Sequence, residues 1–240
     1  MDQRIARIRE QEKRYHDDCY ERHGLFEPGS WLYKPVKTVM ELLAEFDGRD
    51  RLQVLDLGCG VGRNGIPIAE SLLGRQGSVV CVDLLPSAIA KLTAYGTQFG
   101  VESRIEPVHS SIEHYEIAPD RFDYIVAVST LEHVNSVRAL EAKLMEMARG
   151  TRAGGINCII VGTAVTETAA DNGERLDPMF EVNLSTAHML RLLGERYAGW
   201  EIMLRTVKPL VFDIDRQGRP VKLASDCVTF AARKADGERG

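Results

Sequence analysis

Asp56 and the glycines at 58, 60 and 62 are the residues of this chain whose types and spacing could do chemistry. They stand in VLDLGCGVGRNG, residues 54–65, where Val54, Leu55 and Leu57 read as a buried strand. A carboxylate near the end of such a strand is costly unless something bonds to it, and a ligand amine or ribose hydroxyl could be that partner. Gly58, Gly60 and Gly62 permit positive φ and let the backbone come within contact distance of a ligand. From Asn64 onward the chain opens a helix whose first N–H groups are unpaired. The expected unit is strand, glycine turn, helix. A second acid, Asp83, ends the apolar run Val79–Val82, 21 residues after Gly62. A carboxylate there can accept two hydrogen bonds from a ribose diol.

A literal G-x-G-x-x-G exists at Gly60, Gly62 and Gly65 and fits a dinucleotide-binding fingerprint. The frame argues against it. The first glycine after the strand is Gly58, which puts Arg63 at the third glycine position, where a side chain would block close helix–strand packing. Acid, spacer and Gly-x-Gly-x-Gly instead resembles the first motif of class I S-adenosylmethionine (SAM) methyltransferases, whose loop cups the methionine part of the cofactor. A nicotinamide oxidoreductase and a SAM-binding module without turnover are the rival classes.

The resemblance covers about residues 31 to 234. It implies a doubly wound, Rossmann-like α/β fold with seven strands ordered 3-2-1-4-5-7-6, the seventh antiparallel, flanked by helices. It also implies SAM as cofactor and S-adenosylhomocysteine as product. The cofactor set it implies is Asp56, Gly58, Cys59, Gly60, Gly62, Asn64, Asp83, Leu84, Ser110, Ser111, Ile112 and Val128. Ser110 or Ser111 stands where a related enzyme places an acid or amide on the adenine amino group. A closer likeness is to the tellurite-resistance (TehB-like) methyltransferases, through GCG-x-GRN at Gly58 to Asn64 and, loosely, through RYAGWE, DRQGRPVKL and a last strand ending in Ala232, Arg233 and Lys234. That likeness implies in-line methyl transfer to a small molecule, such as a thiol or a chalcogen oxyanion. A hydroxyl or amine acceptor is the alternative, and it would need a general base.

His133 is the candidate base or substrate contact. It follows the strand Phe122–Val128, and ligands of doubly wound sheets bind beyond the strands' carboxyl ends. A structural histidine is the alternative. The same stretch lacks the Asn or Asp, prolines and aromatic of enzymes that methylate nucleobase amino groups.

The elements that would position these residues follow from periodicity. Residues 1 to 22 carry Ile5, Ile8, Tyr15 and Cys19 at helical spacing, a stripe too thin for a core helix. Such a helix rests on the main domain, covers a site, or meets a partner chain as a dimer contact. Pro28 and Gly29 break the pattern before Trp31, Tyr33 and Lys34, which with Arg63 and Phe180 are the candidates for lid or substrate contacts. A helix over Val36–Gly48 should pack beside the central strand. Further strands are expected at Arg104–Val108 and Ile156–Val161. Thr163–Asn183 reads as an irregular loop that roofs a closed pocket. Ser185 caps a helix to Tyr197, and strands Trp200–Phe212 and Val221–Ala232 form a hairpin through Asp215–Pro220.

At 240 residues the chain is expected to hold one domain over 31–234, an N-terminal helical extension over 1–30 and a tail over 235–240. With 44% hydrophobic and 27% charged residues it has a soluble composition. No apolar run is long enough to span a bilayer, and the N-terminus lacks the apolar core of a signal peptide, so a cytoplasmic location is expected. Five cysteines at no metal-ligand spacing read as free thiols in a reducing compartment, with no metal site. A net charge of -5 gives no general attraction to nucleic acid or anionic membranes, so the expected partner is a small molecule.

Overall fold

The computed structural model describes residues 3–216 and 218–236. Its strands are β1 (Arg51–Leu57), β2 (Gln76–Asp83), β3 (Ile105–His109), β4 (Phe122–Val128), β5 (Thr151–Ala169), β6 (Arg175–Leu176), β7 (Glu201–Arg216) and β8 (Arg219–Arg233). Its helices are α1 (Gln3–Arg22), α2 (Lys37–Leu43), α3 (Gly65–Ser71), α4 (Pro86–Gln98), α5 (Val137–Gly150) and α6 (Thr186–Arg196). Strands that alternate with helices must pair in parallel through crossovers. β1 to β5 do so, in the order β3-β2-β1-β4-β5, and β8 then β7 complete the sheet. β8 runs antiparallel to both β5 and β7. With the two-residue β6 set aside as a short partner of β5, this is the order 3-2-1-4-5-7-6.

The sheet is buried on both faces because its central strands are apolar at consecutive positions. Val54, Cys81, Tyr124 and Ile156 pack with α2, α3 and α4, while Leu55, Val80, Ile125 and Ile159 pack with α5 and α6. The α2 segment is fixed beside β4 as expected: Tyr124 Oη donates to the Val39 carbonyl at 3.0 Å, and the Phe46 and Tyr124 rings lie 5.6 Å apart.

Two expectations about the C-terminal half are corrected. Thr163–Ala169 is not irregular but continues β5, past a register break between Thr163 and Thr166 where Ala164 takes φ 49°. The inward positions there are Val165, Glu167 and Ala169, so apolar alternation fails in the sequence although the burial alternates. Glu167 is tolerated inside because Arg216 donates to it twice, at 2.7 and 3.1 Å, and the Met179 amide donates at 3.1 Å. The final hairpin is also tighter than expected. Pairing runs out to Arg216 opposite Arg219, with Gly218 between them at φ 85°.

α1 lies across the carboxyl ends of the strands. Ile8, Cys19 and Tyr20 are buried, while Tyr15 is exposed. Ion pairs and side-chain hydrogen bonds hold the helix as much as apolar contact does. Arg4 donates to both carboxylate oxygens of Asp177 and to the carbonyls of Pro178 and Phe180. At the other end Ser87 Oγ donates to Asp17. All five cysteines are free, four of them buried. Among the described residues no group of His, Cys, Asp or Glu is arranged to hold a metal, and no helix is long and apolar enough to cross a membrane.

Candidate cofactor and acceptor site

β1 delivers the chain to the glycine turn, where Gly58, Gly60 and Gly62 have φ of 70°, 53° and 94°. The amides of Gly58 and Cys59 donate to the Val82 carbonyl, which locks the turn over the end of β2. A Cβ at Gly58 would stand 2.2 Å from Thr130 Oγ1, so this glycine lets the β4 turn close onto the loop. A Cβ at Gly60 would project to 3.0 Å from Tyr20 Oη, into the space under α1. Gly62 differs from the cofactor role expected of it. Its missing Cβ makes room for Leu92 and Ile66, at 2.6 and 2.9 Å, and it does not line the cavity.

Asp83 sits at the cavity wall. One oxygen accepts from the Gly60 amide at 2.8 Å and the other from the Leu85 amide at 2.9 Å. Each carboxylate oxygen has a second lone pair, so capacity for a diol remains. Burial raises this carboxyl above its ordinary value.

Asp56 is not among the residues that line the cavity. Its carboxylate lies behind the loop at the start of α3, bonded to the Gly65 amide, and Oδ2 has no hydrogen-bond partner. Burial, reinforced by Asp83, pushes this carboxyl up to about 7. The strand-end acid meets the N-terminus of α3.

The cavity measures about 340 Å³, within the range of roughly 300–1,000 Å³ usual for small-molecule sites. Of the cofactor set, Gly58, Cys59, Gly60, Asn64, Asp83, Leu84, Ser111, Ile112 and Val128 line it. Ser110 does not: its hydroxyl turns back to the Ser111 carbonyl. Asn64 Oδ1 also accepts from the Val36 amide at 3.0 Å, tying the segment after Trp31 to the loop.

Among the lid and substrate candidates, Trp31 and Arg63 line the cavity, with the Arg63 guanidinium 5.5 Å from the Trp31 ring centre and its Nε donating to the Lys34 carbonyl at 2.8 Å. Tyr33 and Lys34 are corrected to the outer surface. The short turn Trp31–Tyr33 buries Leu32 and points Tyr33 outward, where the Lys34 ammonium rests on its ring at 4.8 Å. Phe180 also lies outside the cavity lining and stacks on His133, ring centres 5.4 Å apart.

The roof is α1, not the Thr163–Asn183 stretch. Arg9, Glu12, Lys13, His16 and Tyr20 form one stripe of the helix along the cavity. These residues were missed in the sequence, although their spacing of three, one, three and four is a helical face as regular as the thin apolar one. Burial lowers the His16 imidazole to about 4, so it is neutral at neutral pH, and its Nδ1 is buried without a partner. Burial raises the Glu12 carboxyl.

His133 lines the opposite wall and is oriented by a carboxylate. Its Nδ1 lies 2.9 Å from Glu181 Oε2, and the Glu181 side chain is almost wholly buried. A carboxylate only accepts, so Nδ1 carries the hydrogen and Nε2 is the ring position left to act. Burial alone would lower the imidazole, but the Glu181 bond and the charges of Glu132 and Glu12 outweigh it and push it up to about 9.

Residues 54–155, less than half of the chain, match the methyltransferase domain family. Two curated relatives are ubiquinone biosynthesis O-methyltransferases: that of Rickettsia canadensis is 28% identical over 45% of this chain and 43% of its own length, and that of Rickettsia conorii 33% identical over 45% and 36%. The chain thus spans less than half the length of these relatives. Among solved structures, TehB from Haemophilus influenzae aligns with a TM-score of 0.60 at 22% identity, covering 83% of this chain and 62% of that one. The magnesium protoporphyrin IX methyltransferase ChlM from Synechocystis, solved with bound SAM, aligns with a TM-score of 0.58 at 14% identity over 98% and 99%. At these identities the likeness is one of fold. What the comparisons share with this chain is a methyltransferase-domain match over residues 54–155, carried on a fold common to these solved methyltransferases.

Proposed function

We propose that the protein transfers a methyl group from SAM to a hydroxyl of a small-molecule acceptor. The observation that carries this reading is a single cavity with the Gly58–Gly60 turn and Asp83 at one wall and the carboxylate-oriented His133 at another. The residues present fit the cofactor: the bare Cα of Gly60 leaves a cradle under Tyr20, and Asp83 keeps free lone pairs toward it. Gly58, Gly60, Asp83, Leu84, Ser111 and Ile112 would hold it. SAM, when bound, supplies an electrophilic methyl on a sulfonium, already activated for in-line displacement.

The chain's own share is alignment, exclusion of water and one proton. α1 with Trp31 covers part of the cavity, and preorganised alignment can supply roughly 7–11 kcal/mol of a barrier. His133 Nε2 takes the proton of the attacking hydroxyl, and Glu181 holds the resulting imidazolium. With the imidazole pushed up to about 9, the free Nε2 that accepts this proton becomes populated as pH rises toward 9, close to the ordinary value of ~10 of a phenolic hydroxyl. The thiol and chalcogen-oxyanion acceptors implied by the TehB resemblance need no such base. The acidic balance and the size of the cavity argue for a small molecule over nucleic acid, and the free thiols for a cytoplasmic location. We retain the division at residues 30 and 234 as a proposal, with the extension contributing the roof.

The test is incubation with methyl-labelled SAM and, separately, phenols, thiols, tellurite or selenite, transfer RNA and a protein extract. Label in phenols with release of S-adenosylhomocysteine is expected. Label in thiols or chalcogen oxyanions alone would overturn the hydroxyl reading, and label in RNA or protein the small-molecule reading.

A further inference from the structure

The segment 177–181 is gripped from both sides. On one side Arg4 of α1 holds Asp177 and the carbonyls of Pro178 and Phe180. On the other, Phe180 stacks on the His133 ring and Glu181 bonds its Nδ1. Between them runs Arg9, also from α1. Its Nε lies 3.4 Å from Glu181 Oε1, its Nη2 donates to Glu113 at 2.9 Å, and the same nitrogen reaches the His133 carbonyl at 3.5 Å. The roof helix therefore touches the partner of the candidate base directly, by a charge, and touches the base's own backbone.

We propose that Glu181 is a positioning residue for His133, and that Arg9 makes the docking of α1 part of assembling this pair. The inference rests on the hydroxyl-transfer reading. A buried carboxylate with one cation and one imidazole as partners is satisfied only while both are in place. When α1 lifts, Arg9 leaves with it, and Glu181 then has only His133 to answer its charge. The imidazole then keeps its proton to higher pH, so that at neutral pH less of His133 has a free Nε2 to take the proton of a hydroxyl. With α1 seated, Arg9 draws part of the Glu181 charge to itself, and the base is poised in the cavity that α1 has just closed. Closure and activation of the acceptor are in this way one event.

The groups facing His133 fix the sign of the expected pH effects. Glu132 stands beside it on its own turn, Glu12, His16 and Arg9 face it from α1, and Glu181 faces it from the segment before α6. Removing the Glu181 charge withdraws the main bond that raises the imidazole. Removing Arg9 withdraws the cation that offsets Glu181. The two variants should therefore move the titration of His133 in opposite directions.

The test uses the full chain with the substitutions Glu181→Gln, Arg9→Ala and Arg9→Lys. The imidazole of His133 is followed by NMR in histidine-labelled protein, and the pH dependence of kcat and KM is measured with a phenolic acceptor. Wild type is expected to titrate near about 9. Glu181→Gln should bring the midpoint down toward ~6.5 and lower the plateau kcat about tenfold to a hundredfold, with SAM affinity kept. Arg9→Ala should move the midpoint up and lower kcat at neutral pH, and Arg9→Lys should restore both. A His133 midpoint unmoved by Glu181→Gln, or an Arg9→Ala defect confined to KM and SAM affinity, would overturn the proposal. The NMR midpoints stand without turnover. A wild type that binds SAM but methylates no hydroxyl, with the midpoints shifting as stated, would refute the hydroxyl reading and leave the Glu181–Arg9 coupling intact.

Discussion

Asp56 shows what a single residue's type can and cannot tell. The sequence requires a partner for a strand-end acid, but the nearest unsatisfied donor is the α3 N-terminus, which no reading of residue types alone ranks above a ligand. Its carboxyl is raised from 3.8 to about 7, so the folded chain holds this proton more tightly than the unfolded chain does. The folded state carries no penalty below ~4, acquires one as pH rises to 7, and keeps it above, with a limiting slope of about 1.4 kcal/mol per pH unit. Asp56→Asn keeps an acceptor for the Gly65 amide and removes the titration. Its melting temperature relative to wild type should climb between pH 4 and pH 7 and then level off; a difference flat in pH would contradict this account of the raised carboxyl. Gly58 was legible from its place in the turn, and the reason for it is more specific than expected. Gly58→Ala should cost about 1–3 kcal/mol in thermal unfolding, from positive φ and the Thr130 contact together. Adding Thr130→Ala should recover the packing part and not the backbone part.

At the scale of elements, β1, β2, β4 and the helices after them were legible because each carries its own period and its own stop. β5 beyond Gly162 was not, because Glu167 and Ala169 occupy inward positions that a pattern of apolar residues cannot reveal. α1 was legible as a helix with a thin apolar stripe, and its polar stripe, the roof of the cavity, carried no motif. Since ion pairs and side-chain hydrogen bonds share with apolar contact in holding α1, its docking should be separable from folding. Arg4→Ala removes the ties to Asp177, Pro178 and Phe180 at a partly exposed site, where such a pair is worth about 0–1 kcal/mol. The unliganded melting temperature should hardly move, while SAM leaves severalfold faster in stopped flow and α1 amides exchange faster. Unchanged SAM release would show that this end of α1 does not govern access.

For the whole molecule, a mostly parallel sheet followed from the alternation of strands and helices, its strand order from the methyltransferase resemblance, and the position of the site from the rule that ligands bind beyond the strands' carboxyl ends. The acceptor end did not follow. It is assembled from α1, the turn after β4 and the segment before α6, three regions far apart in sequence whose meeting only the fold provides. The central claim is that the Gly58–Gly60 turn and Asp83 make this cavity a SAM site. Calorimetric titration of SAM into wild type and Asp83→Asn, with NAD as the competing cofactor, tests it most directly. One SAM site is expected in wild type and none for NAD. Asp83→Asn, checked to be folded, should bind SAM at least about tenfold more weakly, because charge-assisted hydrogen bonds are worth about 1.5–3 kcal/mol each. Heat from NAD and none from SAM, or a SAM affinity untouched by the loss of the Asp83 charge, would contradict it.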